Sequence, residues 1–282
     1  MCLYPILIKN RKYTPNKKNG GNVPECKDER TLSVPVGCGK CIECRKQKAR
    51  QWQVRLHEEI KSDNTGKFVT LSFSEESLYL LSERINSKEA NKTAKEAVRL
   101  FRKRWEKKFK KSIKHWLIPE LGHNNTERLH LHGLLFTKES KETIEKLWNY
   151  GNVYIGDYVN AKTINYIVKY VTKIDELHKG FQGNILTSPG IGRNYLSKWD
   201  AKQNEYKGEE TADYYKLPNG TKTQLPIYYR NKIYTEEERE LLWLNLISKN
   251  IRYVRGEKIN IATKEGQQEY WKALQYQQQN LS

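Results

Sequence analysis

No apolar stretch in this chain approaches the roughly 20 residues needed to span a bilayer. The opening run "MCLYPILIKNRKY" is too short for a secretory signal, places its basic residues after the apolar part and has no small-residue cleavage site. A soluble, cytosolic protein with no membrane partner is the expectation. Cysteine is missing beyond position 44, and the five present are Cys2, Cys26, Cys38, Cys41 and Cys44. An odd, N-terminally clustered set in a cytosolic chain argues against a disulfide framework and for metal binding or reduced thiols. Acidic residues are scarce relative to basic ones: 51 Lys plus Arg against 33 Asp plus Glu give a formal charge of +18, alongside 11% aromatic residues. That combination favours a polyanionic partner. No internal repeat is visible, and 282 residues allow one main domain with appendages.

Periodicity divides the chain into a Cys-rich N-terminal module (1–48), a main domain (49–195) and a partly helical C-terminal accessory region (196–282). The first part is turn-rich and closes on "CGKCIEC". From Arg45 to Ile60, Trp52, Leu56 and Ile60 recur at four-residue spacing on a basic amphipathic helix. "KFVTLSF" (67–73) alternates and is rich in β-formers, which predicts a strand. Over 88–110, Ala94, Ala97, Val98, Phe101, Trp105 and Phe109 mark a long helix lying on a sheet. "SIKHWLIPEL" and "RLHLHGLLF" read as two strands joined by the Asn-rich "GHNNTE". "KETIEKLWNYG" is a short helix expected to close at Gly151, "NVYIGDYV" a strand, and 161–174 a helix burying Ile164, Ile167, Val168 and Val171. This order predicts an α+β fold around an antiparallel sheet. Past Lys179 the pattern loosens until Thr235 and Glu238, in capping-box spacing, open another helix. The glutamine-rich end is expected to fray.

In "ERLHLHGLLF" (127–136) two imidazoles stand one residue apart. A strand alternates its faces, so His130 and His132 share one side while Leu131 joins the core. Two such rings can hold a divalent cation that wants a third, oxygen ligand. Glu120 on the preceding strand is the leading candidate and His123 in the loop the second choice, with Pro119 suggesting a bulge or sheet edge nearby. The plain alternative is a solvated strand face. Tyr166 and Tyr170 lie four apart on the later helix, so both hydroxyls can reach one point, and Lys169 and Lys173 follow each by three residues. Here the plain alternative is amphipathic packing.

Cys38, Cys41 and Cys44 form Cys-x-x-Cys-x-x-Cys, and zinc wants four tetrahedral ligands. Cys2 or Cys26 must complete the set, with Cys2 put forward; an iron–sulfur run would need a ligand at Lys48. Structural Zn²⁺ and unmetallated thiols both fit. For DNA, the candidates are Arg45, Lys46 and Lys48 beside the cluster, the helix face of Lys103, Lys107 and Lys110, and the loop Ser188 to Arg193, whose glycines let amides approach phosphates. A solvated helix face is the ordinary explanation for any one of these lysines.

Taken together, "FVTLSF", "PELG", "HLHGLLF", "INYIVKYVTK", "SPGIGRNYL" and "VPVGCGKCIECRKQKARQW" resemble the HUH endonucleases that start rolling-circle replication. The chain is similar, over residues 34–195, to the replication initiation proteins of gokushovirus-type microviruses. This resemblance implies an HUH/RRM-like sheet of about five strands with packed helices and histidines on the central strand. It implies that His130, His132 and Glu120 hold Mg²⁺ or Mn²⁺ against the scissile phosphate of single-stranded viral origin DNA. Tyr166 or Tyr170 would then attack phosphorus, leaving a 5′-phosphotyrosine link, with Lys169 and Lys173 balancing phosphate charge or steering the phenols. Host helicase and polymerase would be partners, in the host bacterial cytoplasm. Two departures stand out: "GHNNTERLHLH" lacks a Gly-Arg-Pro-like lead, and Ser72 stands where Thr is frequent. The competing expectations are a non-catalytic RRM-like nucleic-acid binder and an HUH transposase or relaxase; the paired tyrosines favour the replication protein.

Overall fold

The computed structural model describes residues 2–122, 128–156, 158–173, 177–178, 180–217, 219–255 and 257–280. They form two compact units, Ala49–Tyr195 and the pair of end segments Met1–Lys48 and Leu196–Ser282. Early in the end unit, β1 (Ile6–Lys9) pairs antiparallel with β2 (Ser33–Val36), and α1 (Ile42–Ser62) follows.

The main unit continues with β3 (Gly66–Ser72), α2 (Glu75–Ile85), α3 (Ala90–Phe109), β4 (Lys114–Leu121), β5 (Leu129–Phe136), α4 (Lys141–Trp148), β6 (Val153–Gly156), α5 (Ala161–Thr172) and β7 (Leu186–Thr187). The five strands lie side by side in the order β6-β3-β5-β4-β7, every pairing antiparallel. An α+β fold on such a sheet was the expectation, and the histidine strand β5 is its middle member. Two details differ. Helix α2 was not foreseen, because among its residues Leu81 alone is buried while Tyr79 and Leu80 face solvent. Helix α4 closes at Asn149 in the left-handed conformation (φ 52°), two residues before Gly151. Gly151 serves another need: a Cβ there would lie 2.7 Å from the carbonyl oxygen of Ser72.

Alternation along β5 decides what each side of the sheet does. Leu129, Leu131 and Leu135 join Val69, Leu71 and Leu117 under Ala97, Phe101 and Trp105 of α3 and Trp148 of α4. Burying a side chain of this size contributes about 1.5–3 kcal/mol. The opposite face carries Trp116, Ile118, Leu134 and Phe136 against Leu56 of α1 and Ile164, Ile167 and Val168 of α5. His130 and His132 share the parity of Leu134 and Phe136. One strand face thus turns from polar to apolar along its length, and a single helix, α5, provides residues to both halves. Between them, Gly133 is required by packing, since a Cβ would meet the carbonyl oxygen of Trp116 at 2.0 Å.

Pro119 sits in β4 without breaking a ladder. The amide of Gly122 donates to Arg128 O, so alternation gives the even-numbered residues of β4 the bonds to β5. Pro119 turns its missing donor the other way, where β7 pairs only with Trp116 and Leu117.

The end unit also holds α6 (Trp199–Lys202), β8 (Tyr214–Lys216) paired with β9 (Lys222–Gln224), α7 (Ile227–Ile233), α8 (Glu236–Ser248), β10 (Ile251–Val254) paired with β11 (Glu257–Asn260), and α9 (Lys264–Gln279). The capping box of Thr235 and Glu238 opens α8 with both reciprocal bonds present. The expected fraying at the glutamine-rich end does not occur: α9 runs through it, anchored by buried Leu274, and glutamine is a good helix former. The two end segments bond to each other, Gln278 Nε2 donating to Leu3 O (2.6 Å) and Tyr13 Oη to Glu240 (2.8 Å). Among the described residues no helix is long and apolar enough to cross a membrane.

Candidate active site and metal centres

Strand register brings the acidic and imidazole groups together. Glu120 on β4 is paired with His130 on β5, and on the other side of β5, β3 sets Ser72 opposite His130 and Thr70 opposite His132. The Nε2 atoms of His130 and His132 both face Glu120 Oε2, at 3.1 and 2.9 Å. The Nδ1 of His130 lies 3.0 Å from the carbonyl of Arg128, which can only accept, so this nitrogen carries a proton. A neutral ring would then turn a lone pair toward the carboxylate. The contact therefore demands a second proton on His130 or a cation between ring and carboxylate. Burial opposes the imidazolium, but the bonds to Glu120 and Arg128 outweigh it and raise the pKa of His130. Burial likewise opposes the Glu120 carboxylate, yet hydrogen bonds from His130, His132 and Lys173 hold it far below its usual range. The three ligand atoms of Glu120, His130 and His132 lie within 4.8 Å of one another, so this donor set fits a divalent cation of intermediate hardness. His132 Nδ1 is in turn held by Thr70 Oγ1 at 3.0 Å, a support that orients the ring.

The tyrosines complete the cluster from α5. This helix starts at Asn160, whose side chain accepts from the amides of Lys162 and Thr163. Its four-residue repeat sets the hydroxyls of Tyr166 and Tyr170 2.7 Å apart. The ring of Tyr170 lies on that of His132, with centroids 4.3 Å apart and planes 16° from parallel. Phe68 braces both partners, stacking parallel to His132 at 6.5 Å and meeting Tyr166 edge-on at 6.0 Å. Lys173 bonds to Glu120 Oε1 and stands 5.8 Å from the centre of the Tyr170 ring. Burial, the bond to Tyr166 and the charge of Glu120 push the Tyr170 phenol well above its ordinary pKa. Tyr166 is half exposed, so the paired phenols open to solvent on one side.

Sequence pattern had named Glu120, His130, His132, Tyr166, Tyr170 and Lys173, and the fold gathers all six. Lys169 is not gathered in: it stands exposed and makes no ion pair among the described residues. His123 lies outside the described residues. Thr70 and Phe68 were missed, since their part depends on a strand pairing that joins positions 62 apart.

The phosphate-cradling role expected of the Ser188–Arg193 loop is corrected by its bonding. Glu59, 2% exposed, takes the Gly192 amide at 2.6 Å, and the Arg193 amide is spent on Gly190 O. The side chain of Arg193 remains exposed. Lys103, Lys107 and Lys110 ride on α3 or just past its end, over the sheet face opposite the tyrosines. In the end unit, Arg45 Nε donates to Lys40 O, Lys46 lies 3.8 Å from Glu43, and burial lowers the pKa of half-buried Lys48.

A second ligand cluster stands in the end unit, where the sulfurs of Cys2, Cys38, Cys41 and Cys44 lie within 4.8 Å of one another. Cys26 is elsewhere, its thiol donating to Asp28 O at 3.1 Å.

With this geometry in hand, likeness to known proteins becomes informative. Residues 66–175 match the family model of replication-associated proteins of the ORF2 type, a span running from β3 through α5 and holding Glu120, both histidines and both tyrosines. The chain is 25% identical over 222 residues to the replication-associated protein VP4 of Bdellovibrio phage phiMH2K, covering 71% of this chain and 67% of that one. It is 27% identical over 236 residues to the replication-associated protein ORF2 of Spiroplasma virus 4, covering 73% and 72%. The chain is a relative of phage replication-associated proteins. No solved structure matches it significantly.

Proposed function

We propose that this relative of phage replication proteins is an HUH-type initiator that nicks single-stranded viral origin DNA by transesterification to tyrosine, and rejoins it after a round of rolling-circle synthesis. One observation carries the reading: two phenol oxygens 2.7 Å apart, one ring stacked on a member of the Glu120–His130–His132 ligand set. Mg²⁺ or Mn²⁺ held by these three residues would draw electron density from the scissile phosphate and offset the charge of Glu120 beside Tyr170.

The chain's own residues do the rest. A phenol oxygen of Tyr166 or Tyr170 attacks phosphorus, the bond from phosphorus to O3′ breaks, and O3′ leaves as a hydroxyl once it takes up a proton. The attacking phenol's proton has the neighbouring phenol oxygen as its first acceptor. The 5′ side stays on tyrosine, and a host polymerase extends the free 3′-hydroxyl. The second tyrosine serves a second cut, after which the released 3′-hydroxyl displaces the first tyrosine and closes the circle. Lys173 contributes positive charge at the phosphate. In this reading the four-thiol cluster takes Zn²⁺ and has no part in the chemistry.

The test is to incubate the full chain with origin-bearing single-stranded DNA and Mn²⁺ and look for an SDS-resistant shift. The shift is expected to disappear with EDTA and with His130→Ala. Binding that needs no metal and never yields an adduct would instead identify a non-catalytic nucleic-acid binder.

A further inference from the structure

Remote from the nicking chemistry in kind, and independent of it, is the cluster formed by Cys2, Cys38, Cys41 and Cys44. Three of these come from one short loop and the first turn of α1, while Cys2 arrives from 36 positions upstream of Cys38. Such convergence is not a by-product of helix periodicity, because Cys2 belongs to no helix.

The spacing of the sulfurs discriminates among occupants. Tetrahedral coordination with bonds of 2.3 Å puts ligand sulfurs about 3.8 Å apart. Cys2 Sγ and Cys41 Sγ are 3.8 Å apart, and all four sulfurs fall within 4.8 Å. A disulfide needs about 2.05 Å, and all five cysteines are free. An iron–sulfur cluster binds each thiolate to a different iron and so needs the sulfurs farther apart.

The sulfurs are also arranged as acceptors. Backbone amides of Tyr4 and Cys38 point at Cys2 Sγ (3.3 and 3.2 Å), that of Leu3 at Cys41 Sγ (3.5 Å), and that of Cys41 at Cys38 Sγ (3.3 Å). Amides that donate to sulfur favour thiolates, the form a metal binds. Gly37 makes room, since a Cβ there would stand 3.0 Å from Cys44 Sγ, and Gly39 turns the loop at φ +75°. Fully buried Leu3 and the bond from Gln278 to Leu3 O tie the arm carrying Cys2 to α9.

We infer that Cys2, Cys38, Cys41 and Cys44 form a closed, four-thiolate structural zinc centre that staples the N-terminal arm to the start of α1, with Cys26 outside it. With every coordination position taken by sulfur, the centre has no open site for substrate, and its work is to order the end unit.

The test uses the full chain purified without chelator. Elemental analysis should find one zinc per chain, and the Co²⁺-exchanged protein should show thiolate-to-cobalt charge transfer with tetrahedral visible bands. Cys26→Ser should keep the full metal content, whereas Cys2→Ser should weaken Zn²⁺ binding at least tenfold in competition with a chromogenic chelator. A chelator strong enough to strip the zinc should lower the unfolding temperature of the wild type. Should Cys2→Ser prove insoluble, the cobalt spectrum and the Cys26→Ser content still decide the matter. Zinc well below one per chain with all thiols freely reactive, iron with acid-labile sulfide, an octahedral cobalt spectrum, or metal loss in Cys26→Ser would each overturn it. A nicking-dead protein with full zinc would count against the proposed function alone.

Discussion

The ring of Tyr170 lies parallel on the ring of His132, 4.3 Å between centroids, although 37 intervening residues and two separate elements divide them. A candidate nucleophile and a candidate metal ligand thus share one stack. Whatever moves the imidazole also moves the phenol, and the predictions below exploit that linkage.

Thr70 holds His132 through Nδ1 at 3.0 Å. Thr70→Val keeps the shape and removes the hydroxyl, so the Mn²⁺ concentration for half-maximal adduct should rise about tenfold, within the range that such supporting contacts command. A metal titration of adduct formation measures this. An unchanged midpoint would mean that Thr70 does not orient the ring.

Lys173 occupies Glu120 Oε1, the carboxylate that a bound cation needs. Lys173→Met should therefore lower the half-maximal Mn²⁺ concentration, by about threefold or more, while cutting the rate at saturating metal about tenfold, because charge at the phosphate is lost. The same titration, read for both midpoint and plateau, separates the two effects. A midpoint that rises would contradict the competition.

His115, 2% exposed, sits on β4 with Nδ1 2.9 Å from Ser188 Oγ and 3.1 Å from Ile113 O. Burial pushes its pKa down from 6.5 to about 4. The folded pKa is depressed, so on acidification the unfolded chain takes up this proton first. The stability contributed by neutral His115 is full above about pH 6.5 and is lost as the pH falls toward 4, amounting to about 3 kcal/mol. Urea melts at pH 7 and pH 4.5 should show a smaller pH penalty for His115→Gln than for the wild type, by about 2 kcal/mol. Equal penalties would remove His115 as the cause.

Gly133→Ala forces a methyl to within 2.0 Å of Trp116 O, a backbone atom held in the β4–β5 ladder. The substitution should cost about 3 kcal/mol or more and reduce adduct formation as the histidine strand shifts. A denaturant melt showing a loss under about 1 kcal/mol would mean that the strands have room to move.

How far these features were legible in the sequence depended on the range of the pattern. The two-residue repeat of His130 and His132 and the four-residue repeat of Tyr166 and Tyr170 are fixed by local geometry, so their shared faces could be read directly. Glu120 could be named but not registered, because its pairing with His130 is set by the hairpin and by Gly133 packed on Trp116. Thr70 and Phe68 were invisible, since nothing near them in the chain signals a partner on another strand. Helix α2 escaped for want of an apolar stripe, and the bonds joining the N-terminal arm to α8 and α9 span more than 220 positions. Cys2 and Cys26 could not be told apart by spacing; only the fold of the arm brings one sulfur to the other three.

The central claim is that a phenol on α5 becomes bonded to DNA phosphorus. Protease digestion of the Mn²⁺-dependent adduct, followed by mass spectrometry of the nucleotide-bearing peptide, tests it most directly. The phosphate should be found on Tyr166 or Tyr170, and changing both to Phe should reduce the adduct at least about a thousandfold. Attachment to any other residue, or nicking that persists undiminished in the double Phe variant, would contradict the account.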